Sequence, residues 1–169
     1  MKSKGILFLV LSLVQSTLVL AQNGISTAEI SFTFVSKNVD GSISGFSSSS
    51  SIDTDNLSAS NFTGSVNVET LKTGNFLRDW SLKGKKYFNA DTYPEIHFES
   101  TSVETTVTGF KVMGNLTLKG KTKPLTLDFT QKANRLRGTT TLFSSDFGIN
   151  IKKQREDNEV VVTLLLTLD

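Results

Sequence analysis

The chain has 169 residues, 18 of them basic and 16 acidic, for a formal charge of +2 at neutral pH. The excess is Lys2 and Lys4; the remainder is balanced and unclustered, which argues against a nucleic-acid-binding surface. The absence of cysteine excludes disulfides, thiolate metal sites, a cysteine nucleophile and a lipidated N-terminal cysteine, and the single histidine, His97, excludes any site built on two imidazoles.

Residues 1–21 have the pattern of a signal peptide. Lys2 and Lys4 precede an apolar run from Ile6 to about Val14, and Val19 and Ala21 are the small residues of a cleavage site. Ser12, Gln15, Ser16 and Thr17 break the run, which is short for a membrane span. Cleavage after Ala21 leaves residues 22–169 as one exported domain, periplasmic or extracellular, with no stable membrane insertion. A secreted chain without cysteine draws its stability from core and topology.

The remainder reads as β from end to end, because apolar residues recur with period two. Ile30, Phe32 and Phe34 alternate with Ser31 and Thr33; Phe62, Val66 and Val68 follow, interrupted by Gly64. Ile96, Phe98 and Ser100 oppose His97 and Glu99, and Val112, Gly114, Leu116 and Leu118 oppose Lys111, Met113, Asn115 and Thr117. Leu125, Leu127 and Phe129 form the next apolar face. The last run, Glu159 to Asp169, is apolar on both faces. Turn signals fall at Asp40-Gly41, Gly74-Asn75, Gly109, Lys119-Gly120 and Asp157-Asn158. With the segment near Leu136–Phe143 and the Ser-rich stretch, about eight short strands are expected, in a closed barrel or a sandwich.

Residues 75–84, NFLRDWSLKG, depart from this pattern. Phe76, Leu77, Trp80 and Leu82 fall near helical spacing, Asn75 can cap the start and Gly84 the end, so one short helix is expected over an end of the β structure. Ser47–Ser51 reads either as a flexible linker or as a polar-faced strand or edge, and the latter is favoured. His97 lacks a nucleophile or second ligand and reads as structural. Asp53-Thr54-Asp55 and Glu156-Asp157 lack calcium-loop spacing, so no metal and no cofactor is expected. Nothing resembles a catalytic triad or a phosphate-binding loop, and an enzyme is not expected.

The segments TLKTGNFLRDWSLKGKKYFNADTYPEIHFES (from Thr70) and GFKVMGNLTLKGKTKPLTLDF (from Gly109) carry a resemblance. Thr73-Gly74-Asn75, Arg78-Asp79, Tyr87-Phe88, Tyr93-Pro94, the run Gly114–Gly120 and Asp146-Phe147-Gly148-Ile149 stand in an order and spacing that resemble the YceI-like family of secreted lipid- or polyisoprenoid-binding proteins. The resemblance spans roughly residues 28–168. It implies an all-β fold, an eight-stranded antiparallel lipocalin-like barrel with the short helix at a barrel end, enclosing a long apolar ligand such as a polyprenyl chain. The chain departs from the family at two places: Ser81 stands where a His is common, and Ser144 where an Arg is common.

A carrier of this kind needs apolar strand faces and no catalytic apparatus. Burying about 500 Å² of an apolar chain at about 25 cal/mol/Å² yields roughly 12 kcal/mol before ordering costs. The lumen candidates are Phe32, Phe34, Phe62, Phe76, Trp80, Phe88, Phe98, Leu116, Leu118, Leu127 and Phe129, each of which also reads as ordinary core. Arg78 is the candidate head-group contact; its other reading is a helix-fixing partner of Asp79, another carboxylate or loop carbonyls. Lys83, Lys85 and Lys86 read as a solvated turn or as an attraction for an anionic head or membrane surface. The functional expectation is an exported protein that holds an isoprenoid or similar lipid for transport or storage. The alternative is a filled barrel acting through its surface as a secreted interaction or stress-response protein.

Overall fold

The computed structural model describes residues 23–169, so segment 1–21, with its expected signal peptide, lies outside the described residues. Eight strands run in order: β1 Ile25–Phe34, β2 Val39–Ser48, β3 Thr63–Lys72, β4 Glu95–Thr105, β5 Phe110–Leu118, β6 Lys121–Lys132, β7 Arg135–Phe143 and β8 Glu159–Leu168. Each pairs antiparallel with the next, and β8 pairs with β1, which closes the sheet into a barrel. The one α-helix among the described residues, α1 Phe76–Lys83, lies between β3 and β4. The barrel, not the sandwich, is the arrangement, and every strand edge is consumed by closure.

Alternation of side chains sets the inner face. In β5, Phe110, Val112, Gly114, Leu116 and Leu118 are buried while Lys111 and Asn115 are exposed. In β6, Leu127 and Phe129 are buried between exposed neighbours. Lys119 and Gly120 both take positive φ, 50° and 70°, which makes the two-residue turn between β5 and β6 of the primed type that follows strand twist.

The turn expected at Asp40-Gly41 is corrected. The chain reverses at Val35–Lys37 with left-handed Asn38, while Asp40 and Gly41 lie within β2 opposite Thr33 and Phe32. Gly41 serves packing instead: a Cβ there would run into the Phe32 ring and sit 2.7 Å from the Lys72 carbonyl. Gly84 ends the helix as expected, but in extended conformation at φ −67°, not by a left-handed cap. The serine run is ordered: β2 ends at Ser48, and the hydroxyls of Ser48 and Ser50 both donate to the Thr63 carbonyl.

The connections β1–β2, β3–β4, β5–β6 and β7–β8 gather at one end of this meander, and the others at the opposite end. The opposite end is stoppered. Phe62, Phe110 and Phe129 stack there, with centroid separations of 5.2 Å for Phe110–Phe129, 5.6 Å for Phe62–Phe129 and 5.9 Å for Phe62–Phe110. Ile52, Leu136, Leu166 and Leu168 complete that core. The β7–β8 connection is held by Asn158, fully buried, whose Oδ1 accepts from the Ile151 and Lys152 amides at 2.9 Å each and whose Nδ2 donates to the carbonyls of Lys152 and Gln154.

Candidate functional site

The barrel is hollow. A cavity of about 670 Å³ runs within it, inside the size range of small-molecule sites. All eight strands contribute to its wall, which leaves out the closed-end positions Val103, Phe110, Val112 and Leu136. β1 supplies Ile30, Phe32 and Phe34, and β8 supplies Val160, Val162, Leu164 and Leu166. Nine of the eleven lumen candidates line it: Phe32, Phe34, Phe62, Phe88, Phe98, Leu116, Leu118, Leu127 and Phe129.

Phe76 and Trp80 do not line the cavity, and their placement in the lumen is corrected. They are 80% and 73% exposed, on the outer side of α1. The helix presents Arg78, Ser81 and Leu82 to the cavity. These positions, i, i+3 and i+4, share one face, and Phe76, Leu77 and Trp80 share the other. Polar contacts decide which face turns inward. Asn75 caps the helix by accepting from the Arg78 amide at 3.0 Å, and Thr73 then anchors the first turn. Arg78 Nε donates to Thr73 Oγ1 at 2.6 Å and its Nη2 to the Thr73 carbonyl at 2.7 Å. The Asp79 carboxylate accepts from both the Thr73 amide and the Thr73 hydroxyl. Thr73 therefore stands between the two charges, and Arg78 is fixed by a loop carbonyl and a hydroxyl. Two of the five guanidinium N–H donors are engaged in this way.

At this end the lining turns polar and charged, with Lys37, Thr73, Arg78, Ser81, Tyr87 and Ser144; we term it the mouth. Ser81 and Ser144, the two family departures, thus both border the cavity, and the Ser144 hydroxyl is spent on the Ile149 carbonyl at 2.8 Å. Beside the mouth, Lys119 Nζ donates to the carbonyls of Lys86 at 3.0 Å and Gly148 at 3.3 Å, tying the helical segment to the β7–β8 connection. Desolvation, with Lys121 nearby, pushes the Lys119 ammonium below its ordinary pKa. Asp146 and Arg155 form a bidentate pair at 2.8 and 2.7 Å, which lowers the Asp146 carboxyl and raises the Arg155 guanidinium.

Sequence reasoning missed the β8 wall and the apolar underside of the β7–β8 connection. Phe147 and Ile149 are buried there against Leu116 and Leu118. The signal for the connection was present in the Asp146–Ile149 stretch, whereas β8, apolar on both faces, carried none for its parity. His97 is exposed in β4, paired with Ser65 and Thr117 across the sheet and away from the cavity.

The YceI-like domain model matches residues 21–168. A UPF0312 protein of Yersinia pestis (strain Pestoides F) is 39% identical over 88 residues, a match covering 52% of this chain and 46% of the relative, so the chain spans about half the length of that relative. The crystal structure of Burkholderia cenocepacia BcnA superposes with a TM-score of 0.70 at 19% identity, covering 84% of this chain and 96% of BcnA. A polyisoprenoid binding domain from Saccharophagus degradans, implicated in plant cell wall breakdown, superposes with a TM-score of 0.60 at 14% identity, covering 87% of this chain and 97% of that domain. At these identities the two likenesses are of fold.

Proposed function

The chain belongs to the YceI-like domain family, and we propose that its barrel holds an isoprenoid or similar long apolar lipid in the lumen, as an exported carrier or store. The observation that carries this reading is the cavity itself: about 670 Å³, walled by aliphatic and aromatic side chains, stoppered at one end by three phenylalanines and bordered by cations only at the other. A hydrocarbon chain satisfies such a wall by burial alone, with no metal and no charged partner. The polar mouth gives the ligand a direction. The apolar tail lies toward Phe62 and Phe129, and a polar or phosphorylated head lies beside Lys37 and the unengaged donors of Arg78.

The name of the Saccharophagus neighbour, a polyisoprenoid binding domain, supports the ligand class. The hollow lumen weighs against the filled-barrel alternative. The pattern of residues 1–21 supports export, and residues 22–169 then form the working domain. Incubation of residues 22–169 with a long polyprenol, followed by gel filtration and mass spectrometry of the protein peak, tests the reading. The expected result is one polyprenol per chain, lost in Leu118→Arg and in Phe98→Asp. A folded Phe98→Asp variant that retains the polyprenol would sink it.

A further inference from the structure

The mouth end carries a second feature that the lumen does not explain. Phe76, Leu77 and Trp80 are 80%, 73% and 73% exposed, three large apolar side chains on one face of an eight-residue helix. Val35, 45% exposed, lies on the β1–β2 connection at the same end. Single exposed apolar residues are ordinary, but a cluster on one short element marks a surface that is covered in use. The cluster is flanked by positive charge: residues 76–86 hold Arg78, Lys83, Lys85 and Lys86 against Asp79, with Asp91 later in the same connection and Glu95 opening β4. The β5–β6 hairpin adds Lys119, Lys121 and Lys123, and the β1–β2 connection adds Lys37. The β7–β8 connection is mixed in sign, with Lys152, Lys153 and Arg155 against Asp146, Glu156 and Asp157. The stoppered end carries Asp53, Asp55, Glu104 and Asp169 against Lys132 and Arg135. Lys72 and the carboxylates Asp40, Glu69, Asp91, Glu95 and Glu159 also stand at the mouth end, which then holds twelve cations against nine carboxylates, so the balanced total charge conceals a modest basic pole there.

We propose that this pole docks on an anionic lipid bilayer, with Phe76, Leu77 and Trp80 entering the headgroup region, Lys85 and Lys86 facing lipid phosphates, and the barrel mouth turned to the membrane. An indole and a phenyl ring beside lysines suit the polar–apolar boundary of a bilayer. Charge selects this occupant over a second copy of the chain. A two-fold contact through α1 would bring the lysines of both copies together, whereas an anionic leaflet attracts them all. Among the described residues, Lys83 has Glu69 at 3.8 Å, while Lys85 and Lys86 have no carboxylate within ion-pair distance. The docking face stands on α1 and its cations and does not depend on what the lumen holds.

Trp80 is the sole tryptophan of the chain, so its fluorescence reports the face directly. Residues 22–169 would be mixed with phosphatidylglycerol–phosphatidylcholine vesicles and with pure phosphatidylcholine vesicles. The expected result is a blue shift of Trp80 and co-sedimentation with the anionic vesicles only, weakened by salt. Lys85→Glu/Lys86→Glu should bind roughly tenfold or more weakly, since each lysine near an anionic surface is worth about fivefold. Phe76→Ser/Leu77→Ser should lose the blue shift and the co-sedimentation while keeping the fold and any polyprenol uptake, because both side chains lie outside the cavity. Conversely, Phe98→Asp should lose polyprenol and still bind vesicles, which separates failure of this proposal from failure of the lumen reading. Trp80 emission unmoved by anionic vesicles overturns the proposal, as does binding equal in wild type and both double variants. Self-association of the chain without lipid, abolished by Phe76→Ser/Leu77→Ser, would instead assign the face to a second copy and overturn it too.

Discussion

Phe129 is the ring on which the closed end of the barrel turns, and its partner across the β6–β7 ladder is Gly138. A Cβ added at Gly138 would run into the Phe129 ring, with two further ring atoms only 2.7 and 3.0 Å away. The ring cannot swing aside, because Phe110 stacks on it at 5.2 Å and Phe62 at 5.6 Å. Gly138→Ala alone should therefore overpack the site at a cost of about 1–3 kcal/mol, against a gain of about 0.5–1 kcal/mol from reduced backbone freedom. The net expectation is roughly 1 kcal/mol of destabilisation. Phe129→Ala alone empties the stack and should cost about 3–5 kcal/mol. With the ring gone, the methyl group added at position 138 has room, and Gly138→Ala should stabilise that background by about 0.5 kcal/mol. The sign of one substitution thus reverses with the presence of one ring. Urea unfolding of the wild type, both single variants and the double variant measures this, provided the slopes agree. Energies that add to within about 0.5 kcal/mol would show that the two positions do not touch, and the stopper would be misplaced.

Three further outcomes follow from the same packing. Val162→Trp fills the cavity from the middle of β8 while leaving the outer wall intact; polyprenol uptake should fall roughly tenfold or more for an overpacking cost of about 1–3 kcal/mol, and undiminished uptake would move the ligand out of the lumen. Asn158→Ala leaves the amides of Ile151 and Lys152 without their acceptor, should cost about 3 kcal/mol, and should loosen the connection so that trypsin cuts faster at Lys152, Lys153 and Arg155; unchanged stability and cleavage would contradict the role given to Asn158. The Arg155 hydrogen bonds hold the Asp146 carboxyl below its ordinary range, so the pair's contribution is complete above the ordinary carboxylate pKa and is lost as pH falls through the lowered one. Asp146→Asn should therefore lower stability near neutrality by the small contribution of this exposed pair, converge with the wild type in acid and so flatten the acid limb, and an unaltered acid limb in thermal melts would refute the assignment.

How much of this was legible in the sequence depended on whether one face or two were apolar. Strands with a polar outer face declared their parity: Lys111 and Asn115 point out, so Val112 and Leu116 point in, and β5 is as the alternation implies. β8 did not, because Val161 and Leu165 are apolar as well as Val160, Val162, Leu164 and Leu166, and only pairing with β1 and β7 selects the inner set. Periodicity likewise located α1, with its Asn75 cap and Gly84 stop, but it grouped Leu82 with Phe76, Leu77 and Trp80, whereas Leu82 faces the cavity. It could not say which face meets the barrel. The usual expectation sends Phe76 and Trp80 inward, but Thr73 binds both Arg78 and Asp79 and turns the polar face in. Asp40-Gly41 misled for a related reason, since a glycine that admits a ring looks in sequence like a glycine that makes a turn. Net charge was read correctly and its distribution was not, because the basic pole is assembled from segments far apart in the chain.

The most direct test of a lipid-filled lumen is native mass spectrometry of residues 22–169 purified from the chain's own host, followed by organic extraction and identification of what is released. The expected spectrum shows one long isoprenoid or comparable apolar lipid per chain, absent from Val162→Trp. A wild-type protein that arrives empty and takes up no added isoprenoid would contradict the lumen reading.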